Sequence, residues 1–320
     1  MSTVVITTDY LIPGDSIDTM LRGAGHETVH RPAGVKRTEA ERAALLRTAD
    51  AALVASEPIT SEMISEAVNL KVVARTGVGY DSVDVDAATA RGIFVTNTPG
   101  ANSNAVAEMT MMLVLMCARK ARDTIFAVEQ GDWPRHDTRE IGGSTLGIIG
   151  LGPSGRRVAE LAHAFGVDIV AHTAYPDRDF AAAYGLTYAS LEETVARSDF
   201  LTLHPRPTAA NVGLMDARLL GRMKPTAYLI NTARGSLVDE NALADALRCG
   251  VIAGAALDVV SHEPLTVESP LRGVANLVIT SHLGGQTEQA RATAALAATQ
   301  DILRVLRGEP PRSAVNAPVH

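Results

Sequence analysis

Short apolar runs rich in β-branched residues alternate with helix-like segments along almost the whole chain. The runs lie at 4–7, 52–55, 72–75 and 94–96, and then at 146–149, 169–171, 200–203, 228–231, 255–259 and 277–280. Strands buried on both faces have continuous apolar sequences, and the helices between them are the crossovers that parallel strands require. The alternation therefore predicts an α/β fold built on parallel sheets.

The same pattern predicts two domains, as does the length of 320 residues. The first four runs and the helical patterns among them form one small doubly wound domain. Those helical patterns lie at 17–22, 39–47 and 61–67. After the turn Asn97-Thr98-Pro99-Gly100, one long helix is predicted from 102 to about 130. The six later strands complete a second sheet, so the last helical run, from 286 to about 306, is expected to return to the first domain.

Composition argues against several classes of protein. Acidic residues outnumber basic ones by 36 to 29, which gives a net charge of −7, and aromatic residues make up only 4% of the chain. Such a chain lacks the basic surface and the stacking side chains of a nucleic-acid-binding protein. The chain does not open on a basic region and a cleavable apolar stretch, and the longest apolar run, 109–118, is far shorter than a membrane span. We expect a cytoplasmic protein with no membrane and no nucleic-acid partner.

The two cysteines, Cys117 and Cys249, both fall in helix-like stretches. Two cysteines are too few for a disulfide framework, and their spacing does not match a zinc site. Both are therefore predicted to be buried free thiols, and no metal site is predicted.

A glycine-rich turn follows the predicted strand at 146–149. Its sequence is Gly150-Leu151-Gly152-Pro153-Ser154-Gly155, and a helical pattern follows at 156–165. In this position Gly150 permits a tight turn, Gly152 lets the backbone approach a pyrophosphate, and Gly155 allows the helix to pack closely on the strand. The helix N-terminus then faces the phosphates. The turn predicts a dinucleotide site.

The residue that would meet the adenosine ribose follows the next strand. An NAD-specific site usually presents Asp or Glu about 20 residues after the glycines, whereas this chain has Thr173. Without that carboxylate, a 2′-phosphate is not repelled. His172 and Arg206 are candidates to meet such a phosphate, although a solvated surface role suits each of them equally. The sequence therefore predicts NAD(P)H as cofactor and favours NADP(H).

Three later segments place polar residues just beyond predicted strand ends, where open α/β sheets bind ligands. Arg234 offers a planar fork for a carboxylate, His282 a proton donor, and Glu263 a carboxylate that would hold this imidazole protonated. Each also has an ordinary structural interpretation as a surface pair, a satisfied histidine or a turn residue. Together they predict a site for an acidic substrate.

Taken with the glycine turn, these segments resemble the D-isomer-specific 2-hydroxyacid dehydrogenase family, which includes phosphoglycerate dehydrogenases and glyoxylate/hydroxypyruvate reductases. The resemblance covers almost the whole chain, with the motifs in family order. They are Ala74-Arg-Thr-Gly-Val-Gly-Tyr-Asp81, Asn102-Ser-Asn-Ala-Val-Ala-Glu108, Thr145-Leu-Gly-Ile-Ile-Gly150, Met223-Lys-Pro225 and Asn231-Thr-Ala-Arg-Gly235.

The resemblance implies a flavodoxin-like substrate domain, 1–99 plus 286–320, and a Rossmann cofactor domain, 100–285. It also implies reversible hydride transfer between a nicotinamide and C2 of a 2-keto or D-2-hydroxy acid. Arg234 would hold the substrate carboxylate, His282 would exchange the proton of the C2 oxygen, and Glu263 would orient His282. The substrate would also contact Val78, Gly79 and Asn102. The cofactor would contact Gly150, Gly152, Pro153, Ser154, Gly155, Thr173, Pro205, Arg206, Thr232, Ala233, Asp258, Gly284 and Gly285.

Departures from the family pattern bear on the substrate. Ser56-Glu57-Pro58 stands where phosphoglycerate dehydrogenases commonly carry basic residues, so the charge of Glu57 is expected to repel a substrate phosphate. Val78 stands where the similar phosphite dehydrogenases carry lysine, so phosphite is not expected as the substrate. Beyond Pro310 we expect only a tail and no regulatory domain. The helix from Asn102 and the segment Gly131-Asp132-Trp133 resemble dimerisation elements, which implies a homodimer.

Two other functions stay open at this point. One is a reductase of an unusual 2-keto acid of a biosynthetic pathway, for example a phosphonate-bearing one. The other is a nucleotide-sensing corepressor, since such proteins share the scaffold and its Arg, Glu and His. An activity screen separates the corepressor from the enzyme.

Overall fold

A computed structural model describes residues 1–32 and 37–318. The chain forms two compact units. Unit 1 comprises Met1–Asn102 and Glu288–His320, of which the last two residues lie outside the described part, and unit 2 comprises Ser103–Thr287.

Unit 1 contains a parallel sheet of five strands. They are β1 (Thr3–Ile6), β2 (Glu27–His30), β3 (Ala51–Val54), β4 (Val72–Arg75) and β5 (Phe94–Thr96). Their order is β2-β1-β3-β4-β5, the order of flavodoxin-like doubly wound sheets. The helices of the first part of the chain are α1 (Ser16–Gly23), α2 (Glu39–Arg47), α3 (Ser61–Glu66) and α4 (Val85–Ala90).

Unit 2 begins with two helices and then forms a parallel sheet of seven strands. The helices are α5 (Ser103–Ala118) and α6 (Ala121–Glu129). The strands are β6 (Thr145–Ile149), β7 (Asp168–His172), β8 (Leu186–Tyr188), β9 (Phe200–Leu203), β10 (Tyr228–Asn231), β11 (Gly254–Leu257) and β12 (Leu277–Ile279). Their order is β12-β11-β10-β9-β6-β7-β8. All of these strands are parallel, but the chain adds β7 and β8 on one side of β6 and β9 to β12 on the other, so the order of connection reverses between β6 and β9. Ligands of doubly wound sheets bind at such a reversal.

The connections in unit 2 are helical, and the last helix of the chain belongs to unit 1. The remaining helices of unit 2 are α7 (Pro153–Ala164), α8 (Arg178–Tyr184), α9 (Leu191–Arg197), α10 (Ala217–Leu220) and α11 (Glu240–Arg248). Helix α12 (Glu288–Leu306) packs through Ala298 and Ile302 on one face of the unit 1 sheet, and α2 and α3 pack on the other. Alternate strand residues supply the two faces, since Val4 and Ile6 point one way and Val5 the other.

The two-sheet parallel α/β architecture is confirmed, but several local predictions are wrong. The predicted helix from 102 to about 130 is two helices, because Lys120 adopts a left-handed conformation with a φ of +48° between them. Strands β2 and β8 were not predicted. Both lie at a sheet edge, and their sequences, Glu27-Thr-Val-His30 and Leu186-Thr-Tyr188, lack the continuous apolar run of a central strand.

The prediction for the cysteines is half right. Cys117 is buried on α5, and burial raises the pKa of its thiol to about 12. Cys249 is exposed at the C-cap of α11. It follows the last helical residue and precedes Gly250, whose φ of +69° ends the helix.

The segment after α12, which was expected to be only a tail, packs along strand β5. Ala314 pairs antiparallel with Thr96, and Asn316 accepts a hydrogen bond from the N–H of Val95 at 2.8 Å. Asp301, buried on α12, accepts from the N–H groups of Arg312 and Ser313. The segment therefore covers the outer edge of β5.

No helix in the described part of the chain is long and apolar enough to cross a bilayer.

Candidate active site

The glycine turn joins β6 to α7, and packing requires two of its glycines. Gly150 has a φ of +91°, and a Cβ on it would lie 2.5 Å from the backbone N of Pro205. A Cβ on Gly155 would lie 2.2 Å from the carbonyl O of Gly150. Real Cβ atoms do not make contacts this short, so both positions need glycine for the helix to approach the strand end.

Gly152 is different, because the surrounding protein does not explain it. A Cβ there would meet no atom of the described residues within 4 Å, and its φ of −73° and ψ of −171° are open to any residue. Gly152 is the N-cap of the 12-residue helix α7, which starts with Pro153. The N–H groups of Ser154 and Gly155 follow at the positive end of this helix, where no preceding turn supplies acceptors. Open space in front of these N–H groups fits the phosphates of a dinucleotide.

Thr173 follows the end of β7, at the position where a carboxylate would mark an NAD-specific site. Its Oγ1 accepts from the N–H of Tyr175 at 3.4 Å. The next acidic residue, Asp177, pairs with Arg156 at 2.8 Å. The N–H of Phe180 and the Arg156 guanidinium hold the pKa of Asp177 below its usual value. His172 is one of the two residues predicted as candidates to meet a 2′-phosphate, and its Nδ1 lies 3.2 Å from the carbonyl O of Ala189.

His204 follows β9 and lies beside the glycine turn. Burial lowers the pKa of its imidazole to about 4, so the ring is neutral near pH 7. Its Nε2 is buried and has no hydrogen-bond partner in the described part of the chain. Pro205 and Arg206 come next. Arg206 is exposed, and its carbonyl accepts from Nδ2 of Asn211 at 2.9 Å.

Asn231 ends β10 and fixes the turn that carries Arg234. Its buried side chain donates to the carbonyl of Arg234 at 2.8 Å and accepts from the N–H of Ala233 at 3.0 Å. The Arg234 guanidinium donates to the carbonyl of Ala233 at 2.7 Å. Thr232 is buried as well, with its hydroxyl 2.8 Å from that of Thr110 on α5. The turn that carries Arg234 is therefore fixed by hydrogen bonds of two buried side chains, those of Asn231 and Thr232.

Glu263 and His282 meet although they lie 19 positions apart in the chain. Nδ1 of His282 is 2.8 Å from Oε2 of Glu263, and the two side chains are 46% and 40% exposed. His282 has a φ of +58°, in the left-handed region that residues with a Cβ seldom adopt. Strain of this kind persists only where surrounding structure imposes it, and it is common at catalytic sites. Because Nδ1 is engaged with the carboxylate, Nε2 is the nitrogen left for a substrate oxygen.

Asp258 follows β11 and holds the loop that carries His282. Its Oδ1 accepts from the hydroxyl of Thr280 at 2.6 Å and from the N–H of Leu283 at 2.8 Å, and its Oδ2 accepts from the N–H of Gly284 at 2.7 Å. Its carbonyl accepts from the N–H of His282 at 2.9 Å. The residue is 1% exposed. The geometry thus gives Asp258 a role in shaping this loop, and its expected contact with a nicotinamide carboxamide stays a prediction. Gly285 comes next on the same loop.

The predicted substrate residues of unit 1 lie in two loops after β4 and β5. The carbonyl of Val78 accepts from Nδ2 of Asn97 at 2.7 Å, and that of Gly79 accepts from Nε of Arg75 at 3.0 Å. The N–H groups of Val78 and Gly79 have no acceptor within the described part of the chain. They are therefore available for an anion. Asn102 is half-buried at the end of the second loop.

Comparison with known proteins shows the family of this chain. The sequence model of the D-isomer specific 2-hydroxyacid dehydrogenase NAD binding domain matches residues 111–284. A glyoxylate reductase of Aeropyrum pernix is 39% identical over 273 residues, which cover 82% of each chain. The chain belongs to the D-isomer-specific 2-hydroxyacid dehydrogenase family.

Other proteins match this chain over different shares of their own length. A D-3-phosphoglycerate dehydrogenase of Synechocystis is 39% identical over 284 residues, which are 88% of this chain but 51% of that protein. The chain thus spans about half the length of the phosphoglycerate dehydrogenases that it matches. A solved structure from Thermus thermophilus has a TM-score of 0.89 at 35% identity and covers 98% of this chain and 100% of that one. An acyclic imino acid reductase in complex with NADPH and D-Arg has a TM-score of 0.86 at 27% identity, with 98% and 100% covered.

The sequence did not indicate the residues that hydrogen-bond to the backbone of the loops carrying Arg234 and Glu263. Asn231 fixes the Arg234 turn, and Glu240 accepts from the N–H of Ser261 in the loop that carries Glu263. The apolar periodicity of β10 marks where that strand ends, but it does not mark what the terminal amide binds. Glu240 has no local signal beyond its place in the first turn of α11, where an acid is favourable in any helix.

Proposed function

We propose that this chain reduces small 2-keto acids to D-2-hydroxy acids with a nicotinamide cofactor, and catalyses the reverse reaction. The observation that carries the proposal is the 2.8 Å pair of His282 and Glu263, on loops that follow the neighbouring strands β11 and β12 of a sheet whose glycine turn fits a dinucleotide. We further propose that unit 2 is the cofactor domain and unit 1 the substrate domain.

Residues of this chain would transfer the proton to the C2 oxygen and bind the substrate carboxylate. A bound nicotinamide supplies the hydride. Glu263 keeps Nδ1 of His282 as a donor toward its carboxylate, so that Nε2 carries the proton that the C2 oxygen receives during reduction. In the oxidation direction Nε2 takes the same proton back. Transfer of one hydride and one proton converts the C=O group to an alcohol and balances the reaction.

Substrate binding is assigned to one cation and two backbone N–H groups. The Arg234 guanidinium has the planar geometry that matches a carboxylate with two parallel bonds, and it also polarises the keto oxygen. The N–H groups of Val78 and Gly79 would bind the other side of the carboxylate. Asn102 would contact the substrate from the neighbouring loop.

For the cofactor, we propose a preference for NADP(H). Thr173 offers a hydroxyl where a carboxylate would repel a 2′-phosphate, and the carboxylate of Asp177 is already paired with Arg156. Thr173→Asp is expected to raise the Kd of NADPH by tenfold or more and to leave that of NADH within about threefold. A wild-type kcat/KM that favours NADH tenfold would contradict this preference.

The substrate class is less restricted than the charge of Glu57 implied. Glu57 pairs with Arg37 at 3.4 Å, and both side chains are nearly buried, at 14% and 10% exposure. Its charge is thus largely compensated, which weakens the expected repulsion of a phosphate. A phosphorylated 2-keto acid therefore belongs in the substrate panel.

We also propose a homodimer. Met112 on α5 is 42% exposed, Phe126 on α6 is 62% exposed, and Trp133 in the following segment is 79% exposed. Large exposed apolar side chains on consecutive elements are typical of an interface. Light scattering at working concentration is expected to give twice the chain mass, and a monomeric mass would contradict the proposal.

The decisive experiment assays glyoxylate, hydroxypyruvate, pyruvate and 3-phosphohydroxypyruvate with NADH and with NADPH, on wild type and on His282→Ala. The variant is expected to lose about 10²–10⁴-fold in kcat with cofactor Kd nearly unchanged. His262→Ala, an exposed histidine nearby, is the matched control. Near-native turnover by His282→Ala at its optimum pH would overturn the assignment.

A further inference from the structure

The loop that carries Glu263 contains neither helix nor strand, so something else must hold it. Residues 259–264 follow β11 without regular structure. Within the loop, the N–H of Val260 donates to Oε1 of Glu263 at 3.3 Å, while Oε2 faces His282. The orientation of the carboxylate toward the imidazole therefore depends on where the Val260–Ser261 backbone is placed.

Two contacts from the segment after Arg234 place that backbone. A Cβ on Gly235 would lie 2.0 Å from the carbonyl C of Val260 and 2.3 Å from the N of Ser261, so the two chains touch backbone to backbone. A few residues later, Oε1 of Glu240 accepts from the N–H of Ser261 at 2.6 Å. A carboxylate that accepts from a backbone N–H makes a charge-assisted bond, which is shorter and stronger than a neutral one.

Glu240 itself is well anchored. It is the first residue of α11, and the N-cap Asp239 accepts from the N–H groups of Asn241 and Ala242. The helix dipole favours a negative charge at this end. The carboxylate thus links a rigid helix N-terminus to the loop of the proposed acid–base pair.

We propose that Glu240 is a positioning residue, which acts through Ser261 to hold the carboxylate of Glu263 against His282. Glu240 does not contact the pair itself, so its effect must pass through Glu263. The inference rests on the proposed function for its kinetic consequence, but the placement of the loop can be measured without substrate.

The experiment combines hydrogen–deuterium exchange with a double-mutant cycle. In Glu240→Ala, amides of 259–263 are expected to exchange faster, and kcat is expected to fall about tenfold with the KM of the cofactor within about twofold. Glu240→Gln keeps an acceptor oxygen and should restore most of kcat. In a Glu263→Ala background, adding Glu240→Ala should lower kcat by no more than about twofold, because the two act as one unit.

Glu192→Ala is the matched control, since Glu192 also lies in the first turn of a helix of unit 2. It should change neither exchange at 259–263 nor kcat. Unchanged exchange in Glu240→Ala, or an equal loss of kcat with and without the Glu263 side chain, would overturn the inference. If wild type reduces no 2-keto acid, the proposed function fails, and the exchange result alone decides whether Glu240 holds the loop.

Discussion

Gly152 and Gly155 lie three positions apart in one turn, yet the structure predicts opposite consequences for the same substitution. In Gly152→Ala the new Cβ would meet no described atom within 4 Å, and the backbone conformation is open to alanine. The free energy of unfolding should therefore change by less than about 0.5 kcal/mol. The methyl group would occupy the space in front of the α7 N–H groups, where a pyrophosphate has to approach.

The expected loss in Gly152→Ala is thus confined to cofactor binding. A phosphate pushed away from the N–H groups of Ser154 and Gly155 loses charge-assisted hydrogen bonds, and a tenfold or larger rise in Kd corresponds to about 1.4 kcal/mol or more. In Gly155→Ala the new Cβ would lie 2.2 Å from the carbonyl O of Gly150. Relief of this overlap requires a shift of roughly 1 Å, and overpacking of this kind costs about 1–3 kcal/mol.

Thermal unfolding and cofactor titration separate the two effects. Gly155→Ala should lower Tm by about 2–4 °C for each kcal/mol lost, as expected for a unit of this size. Gly152→Ala should keep Tm and lose affinity for both NADH and NADPH. Wild-type affinity in Gly152→Ala would refute the phosphate site, and an unchanged Tm in Gly155→Ala would refute the packing argument.

Three further predictions concern Arg234, Asp18 and His204. Arg234→Lys keeps the charge but loses the planar fork, so the KM of the keto acid should rise about tenfold in steady-state assays with cofactor Kd unchanged, unlike Arg248→Lys as control. Burial opposes ionisation of Asp18, but hydrogen bonds from four residues outweigh it and hold the pKa of this carboxyl below its usual value of 3.8; the donors are Thr28, His30, Gly14 and Arg22. Because the unfolded chain takes up the proton at a higher pH than the folded one, stability should be lost as pH falls below about 4. Urea unfolding of Asp18→Asn should show lower stability at neutral pH and less of this acid loss. For His204, whose pKa burial lowers from 6.5 to about 4, the unfolded chain binds the proton first. Stability should therefore fall as pH drops from about 6.5 toward 4, and His204→Gln should remove that part of the urea-monitored pH dependence.

Much of the fold could be predicted because it is encoded locally. Strands β4, β9 and β10 have the predicted limits, since a central parallel strand is a continuous apolar run bounded by turn residues, and the edge strand β5 has them as well. The capping box of Ser190 and Glu193 is encoded locally too, because two residues three positions apart satisfy each other's backbone N–H groups. The break at Lys120 could not be read in this way. Nothing in an alanine-rich helical pattern shows that one lysine adopts a left-handed conformation.

The candidate site divides along the same line. The sequence by itself determined the α/β class, the glycine turn, and the residue types that suit an acidic substrate and a nicotinamide, because each depends on a few neighbouring residues. The tertiary structure alone decided that Glu263 contacts Nδ1 of His282 and that Asp258 accepts a hydrogen bond from the N–H of Gly284. It also decided that Arg37 lies beside Glu57 and compensates its charge. These are contacts between segments far apart in the chain. They depend on strand order and on how closely two backbones approach, and no local pattern of residues specifies either.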